Sequence, residues 1–155
     1  MTLSIREAFG KELVKIGKKN KKIVAVSCDL KDACKLSFFF NKFPKRSFEI
    51  GIAEANAVGI AAGLSMSGFR PFLASFASFI TGKNVEIRTS ISYNKCGVVI
   101  VGTHGGLIGP DGATQSSVQD VAVMRSLPYF EIFQPSTPNE TKQIINYTAK
   151  NKKPT

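Results

Sequence analysis

The chain has 155 residues, 43% of them hydrophobic and 21% charged. That size suits one domain with a real core, and the composition excludes a disordered tail, a collagen-like fibre and a disulfide miniprotein. The formal net charge of +10 invites an anionic partner. However, Lys18-Lys19-Asn20-Lys21-Lys22 and Lys150-Asn151-Lys152-Lys153 stand at element ends without any recognition-helix, RNP-type or zinc-finger pattern, so no nucleic-acid partner is expected.

In chain order, the apolar spacing of Leu3, Ile5, Phe9, Leu13, Val14 and Ile16 predicts a helix over 2–17, stopped by Gly17 and the lysine cluster. A short buried strand follows at 23–26. Residues 29–44 read as loop with one helical turn, and 46–50 as a second strand. The Ala-, Gly- and Val-rich run 54–67 predicts a tightly packed helix ended by Gly68. A strand over 70–74 opens with an edge proline, and 75–93 reads as one helix. The uninterrupted run 97–101 has the look of a strand buried on both faces. A loop over 102–114 holds five glycines. A helix over 117–125, a strand over 129–133 and a helix over 137–150, with Pro138 near its first position, complete the series. Residues 152–155 look like the lead-in to a further strand. Strands alternating with helices predict an α/β fold, a mostly parallel sheet with helices on both faces, and ligands at the carboxyl ends of its strands.

Several chemistries have no motif here. GxGxxG after a strand, GxxxxGK[ST] and GxSxG are absent from the sequence, which has one His and three Cys (Cys28, Cys34, Cys96) without a CxxC pair. This lowers the prospect of a Rossmann dehydrogenase, an NTPase, a serine hydrolase or a zinc enzyme, and no metal set is expected within the chain. With no signal-peptide core and no apolar run near the ~18 residues of a membrane span, the chain reads as cytosolic, with reduced thiols and no membrane partner.

Three segments carry the functional argument. In Phe48-Glu49-Ile50-Gly51-Ile52-Ala53-Glu54-Ala55-Asn56, a carboxylate opens an almost wholly apolar helix directly after a strand. Glu54 admits two readings, a charge that complements the helix dipole or a proton-holding carboxyl in an apolar niche with room for something flat beside it. In Phe72-Leu73-Ala74-Ser75-Phe76-Ala77-Ser78-Phe79, two aromatics stand three apart at a strand's carboxyl end, either as core or as a stacking platform. Gly102-Thr103-His104-Gly105-Gly106-Leu107-Ile108-Gly109-Pro110-Asp111-Gly112-Ala113 is a long glycine-rich loop holding the one His, and such loops are more often functional than not.

In this order, and followed by Gln119-Asp120-Val121-Ala122-Val123-Met124-Arg125-Ser126-Leu127-Pro128, these segments resemble the pyrimidine-binding domain of the transketolase family. The likeness covers most of the chain and is nearest to the C-terminal subunit of split transketolases. It implies one domain over 1–155, short of its last strand and of the family's small C-terminal domain. It also implies thiamin diphosphate as cofactor, with Glu54 hydrogen-bonding the pyrimidine ring nitrogen and so driving the amino-to-imino shift that activates the cofactor's reactive carbon. Phe76 and Phe79 are implied to stack on the pyrimidine, with Phe79 as the direct contact, and Asp29 to lie near the cofactor. Asp111 is implied to contact sugar hydroxyls, His104 to serve with Glu54 as a catalytic residue and to bind substrate at or near its phosphate, and Arg6 to sit by the acceptor phosphate.

Two departures stand out. Gln115 occupies the place where the family commonly has His, keeping a hydrogen bond but losing a titratable group. No Gly-Asp-Gly motif is present, so the ligands of Mg²⁺ and of the diphosphate are expected on a partner, an N-terminal transketolase-type subunit, in a homodimer or heterotetramer. The expected reaction is transfer of a two-carbon ketol unit between sugar phosphates, as in the pentose phosphate pathway. Deoxyxylulose-phosphate synthase-like or 2-oxoacid dehydrogenase β-subunit-like chemistry, or a non-catalytic interaction subunit, are the alternatives.

Overall fold

A computed structural model describes residues 3–155, so the predicted start of the first helix at Thr2 lies outside the described residues. Helix α1 (Ile5–Lys19) begins at a capping box: the Ser4 hydroxyl accepts from the Glu7 N–H, and the Glu7 carboxylate reaches back to Ser4. Gly17 does not end it. It lies buried within the helix because Phe39 and Phe43 press against it, and a Cβ there would stand 2.6 Å from the Phe39 ring.

Strands β1 (Ile23–Ser27), β2 (Ser47–Glu49), β3 (Arg70–Phe76) and β4 (Val99–Thr103) form one sheet in the order β2-β1-β3-β4. Every pairing is parallel, with Ala25 against Ser47, Ala25 against Phe72, and Phe76 against Thr103. Pro71, expected at the edge where the strand opens, stands second in β3, which is a central strand. It is tolerated because Arg70 donates its N–H toward the β1 side, to Lys22 O, so the missing N–H of Pro71 faces the β4 side one residue before that ladder starts at Phe72.

Alternation along the strands builds two cores. Ile23, Ala25, Phe72 and Ala74 pack on one face with Phe9, Leu13 and Phe39, contributed by α1 and α2 (Ser37–Lys42). Val26 and Leu73 pack on the other with Val58, Ala61 and Ile87, where α3 (Glu54–Met66) lies. The predicted α/β fold with helices on both faces is thus observed. Helix α3 stops in a Schellman motif: Gly68 at φ +87° donates to Ser65 O, and Phe69 donates to Leu64 O.

Three further expectations change. The helix over 75–93 is in fact the end of β3 followed by α4 (Ala77–Thr81), a break at Gly82, α5 (Asn84–Glu86) and a π-helical segment Ile87–Ser92. The β3 ladder outcompetes helix for Ser75 and Phe76, whose neighbours on β4 are Gly102 and Thr103. The helix over 117–125 shortens to α6 (Asp120–Arg125), because Ser117 is drawn into an antiparallel bridge with Gly106. The strand over 129–133 forms no ladder, since its one backbone bond runs from Glu131 N–H to Pro154 O. Residue Thr155 lies along β4, donating to Val98 O and accepting from Ile100 N–H. Helix α7 (Pro138–Thr148) starts at a second capping box, Thr137 with Glu140. Among the described residues no helix is long and apolar enough to cross a membrane.

Candidate active site

The strand order fixes where a site can form. From β1 the chain goes out to β2, then returns across β1 to β3, so the connections after β1 and β3 diverge and open a crevice at their carboxyl ends. A cleft of about 430 Å³ lies there, lined by Cys28, Asp29 and Leu30 after β1, Ile52 and Glu54 after β2, and Ser78, Phe79, Gly82 and Lys83 after β3. Three residues of the expected cofactor set, Asp29, Glu54 and Phe79, therefore meet in one cleft.

Glu54 is 7% exposed at the first turn of α3. No side chain caps that helix, and Ala53 is its N-cap, so the carboxylate meets the positive end of the helix dipole. Its Oε1 accepts from the buried Ser75 hydroxyl at 3.2 Å. Cys28 borders the same cleft. Burial, and then the Glu54 and Glu49 charges, push its thiol up to about 12, so it stays a neutral, unreactive S–H. Asp29 has φ +60° and donates its N–H to the Glu49 carboxylate at 2.6 Å. The Ser78 hydroxyl is buried and has no hydrogen-bond partner among the described residues.

Phe76 does not line this cleft. It stacks on Phe79 with centroids 5.4 Å apart and planes 9° apart, and its other neighbour is the His104 ring at 3.9 Å. The aromatic pair thus connects the cleft to a second one of about 710 Å³ beside β4, where Arg6, His104 and Gly105 are found with Val101, Met124 and Ile145. His104 has φ +54°. Arg6 Nη1 stands 3.0 Å from its Nε2, and Thr103 Oγ1 stands 2.9 Å from its Nδ1. Burial, and then the Arg6 cation, lower the His104 pKa, with Asp111 opposing them.

The other two substrate candidates are not gathered in. Asp111 is exposed and acts on His104 only through space. Gln115 lines neither cleft, and its buried Oε1 has no partner among the described residues. Sequence reasoning passed over Ser75, Ser78, Thr103 and Lys83. Ser75 and Thr103 are strand-end residues whose role depends on cross-strand register, a relation that no local pattern carries. Ser78 and Lys83 lie within the run 75–93, whose pattern predicts one continuous helix.

The donor set suits the flat, polar-edged half of a cofactor: a buried carboxylate, an aromatic ring and a buried hydroxyl without a partner among the described residues, in a cleft that Leu30 and Ile52 also line. Among the described residues no three His, Cys, Asp or Glu side chains gather as a metal set.

Comparison with known proteins bears directly on this geometry. Residues 1–155 match the family described as "Transketolase, pyrimidine binding domain". A protein of Methanocaldococcus jannaschii named "Putative transketolase C-terminal section" is 37% identical over 152 residues, covering 97% of this chain and 48% of its own length. The 1-deoxy-D-xylulose-5-phosphate synthase of Clostridium acetobutylicum is 34% identical over 148 residues, 96% of this chain and 24% of its own. A solved structure described as "Split gene transketolase, inactive beta4 tetramer" superimposes with a TM-score of 0.88 at 41% identity, over 99% of this chain and 50% of that one. The chain thus spans about half or less of the length of these relatives, and it belongs to the pyrimidine-binding domain family of the transketolases.

Proposed function

We propose that the chain supplies the pyrimidine half of a thiamin-diphosphate active site that transfers a two-carbon ketol unit between sugar phosphates. The observation that carries the reading is Glu54: a carboxylate, nearly out of water, held by Ser75 at the edge of a cleft that Phe79 and the orphaned Ser78 hydroxyl also line. The cofactor, when bound, supplies the electron sink that cleaves a bond next to a carbonyl. The chain's residues do the rest. Glu54, buried at the edge of the cleft and held by Ser75, hydrogen-bonds the pyrimidine ring nitrogen. Phe79 stacks, with Phe76 behind it, and Asp29 lines the same cleft. Arg6 takes an anionic group, since its guanidinium is always charged. His104, Asp111 and Gln115 meet the sugar's polar groups.

Mg²⁺ and the diphosphate belong, in this reading, to an N-terminal transketolase-type partner subunit, in a mixed oligomer. The neighbour described as an inactive tetramer of beta chains supports the part of the proposal that assigns activity to a mixed assembly. The deciding experiment is purification of the chain from its source with Mg²⁺ and thiamin diphosphate present, followed by identification of what accompanies it and assay of the mixture. A co-purifying chain with a Gly-Asp-Gly motif, together with ketol transfer, is the expected result; a lone chain without cofactor or activity overturns the proposal in favour of an interaction subunit. The 34% identity to a 1-deoxy-D-xylulose-5-phosphate synthase supports a second reading, synthesis of deoxyxylulose phosphate, and assay of the same mixture for that product separates the two.

A further inference from the structure

The two ring nitrogens of His104 have partners of different kinds. Nε2 stands 3.0 Å from Arg6 Nη1. A guanidinium has donors only and keeps its charge at every relevant pH, so Nε2 must present its lone pair. The imidazole proton then sits on Nδ1, 2.9 Å from Thr103 Oγ1. Thr103 is buried, 8% exposed, on the last residue of β4. Its hydroxyl in turn donates to Ser75 O at 3.4 Å and lies 3.3 Å from Cys34 Sγ. Burial pushes the Cys34 thiol up, so it keeps its proton and can donate. The Thr103 oxygen can therefore accept from both His104 and Cys34 while its own proton goes to the backbone of β3. Every member is satisfied, which is the condition for a buried polar network to fix one geometry.

We infer that Thr103 is the positioning residue of His104: it receives the Nδ1–H and so orients a neutral imidazole whose Nε2 lone pair faces Arg6 and the cleft beside β4. His104 then acts as an acceptor, suited to a substrate hydroxyl, and the positive charge for an anionic group is carried by Arg6. Arg6 Nη1 also donates to Ala33 O at 2.9 Å, while the Nε and Nη2 N–H groups of that guanidinium have no partner among the described residues. The arrangement is tied to the far side of the site as well. Ser75 accepts from Thr103 with its backbone carbonyl and donates to Glu54 with its hydroxyl. The end of β3 thus holds both functional side chains, one through each of its polar groups. The consequence for substrate rests on the ketol-transfer reading; the tautomer does not.

The chain has one His, so its imidazole nitrogens can be read without ambiguity by long-range proton–nitrogen correlation on the full chain, with no cofactor or partner added. The expected spectrum at neutral pH is a neutral ring protonated on Nδ1, with a slowly exchanging Nδ1–H signal. Thr103→Val should abolish that signal and Thr103→Ser should restore it. A wild-type ring protonated on Nε2, or on both nitrogens, overturns the inference even if the Val variant fails to fold, and so does an Nδ1–H signal unchanged in Thr103→Val. In the assembled enzyme Thr103→Val should raise KM for the sugar phosphate by more than it lowers kcat. An assembly without ketol transfer whose His104 is nonetheless protonated on Nδ1 would sink the functional proposal and leave the positioning of His104 standing.

Discussion

The cleft between β1 and β3 and the glycine-rich loop after β4 are built on opposite plans. In the cleft each candidate side chain stands at or within a few residues of a regular element. Glu54 opens α3, Phe79 lies in α4, and Ser75 is on the β3 ladder. Their backbones are fixed by the parallel sheet and by the two cores beneath it. In the loop, His104 alone is held, by Thr103 and Arg6. Asp111 and Leu107 are exposed, Leu107 at 85%, and one antiparallel bridge, Gly106 to Ser117, ties the two ends of the loop together. A scaffold of ladder and core can preorganise chemistry, whereas a loop with one pin leaves its outer residues to be placed by whatever lies against them.

Substitutions can break or sharpen this contrast. The largest expected effect is on activity. Glu54→Gln should leave far-ultraviolet circular dichroism intact while slowing hydrogen–deuterium exchange at the reactive carbon of the bound cofactor about 10²–10⁴-fold, the range for a lost acid–base group. Unchanged exchange in the assembled enzyme would return Glu54 to the role of helix-end charge. Next is stability under the cleft. Phe72 is fully buried on the β3 strand that leads to Ser75, so Phe72→Ala should lose about 3–5 kcal/mol in urea unfolding. Leu107→Ala, in the loop, should stay within about 0.5 kcal/mol of the parent, and comparable losses at both sites would erase the distinction. In third place, Phe79→Ala should weaken cofactor binding by about 1–3 kcal/mol, as for a lost stack on a flat base, and titration calorimetry on the assembled enzyme reads this directly.

The smallest effect concerns protons. The His104 pKa is lowered from 6.5 in the folded chain, so folding favours the neutral ring. That contribution to stability is complete above about pH 6.5 and is lost as the pH falls through the depressed folded value. Arg6→Gln removes one depressing charge and should raise the His104 titration midpoint, whereas Asp111→Asn removes the opposing charge and should lower it. Proton resonance titration of the one His checks both, and shifts of the same sign in the two variants would contradict the placement of Arg6 and Asp111 around the ring.

Much of this was legible in the residues. Alternating strands and helices gave a parallel α/β sheet because a run such as Ile23–Ser27 can be buried on both faces only between helices. The stop at Gly68 was readable because the position demands a left-handed backbone. Glu54 stood out as a charge at the head of an apolar run. Errors came where tertiary forces overrode local pattern. Gly17 looked like a helix stop and proved to be a contact point for Phe39 and Phe43. Ser75 and Phe76 looked helical until β4 paired with them.

The sequence by itself determined the fold class, the position of the carboxylate and the family, because periodicity and a contiguous motif are local properties of the chain. Only the tertiary structure decided which side chains meet. Asp29, Glu54 and Phe79 are up to 50 residues apart in number and are brought together by the reversal of strand order between β1 and β3. Arg6 reaches His104 across 98 residues, and Thr103 reaches Ser75 through the register of two neighbouring strands. Register and strand order are settled by the summed burial of two cores, a quantity that belongs to the whole molecule and to no segment of it.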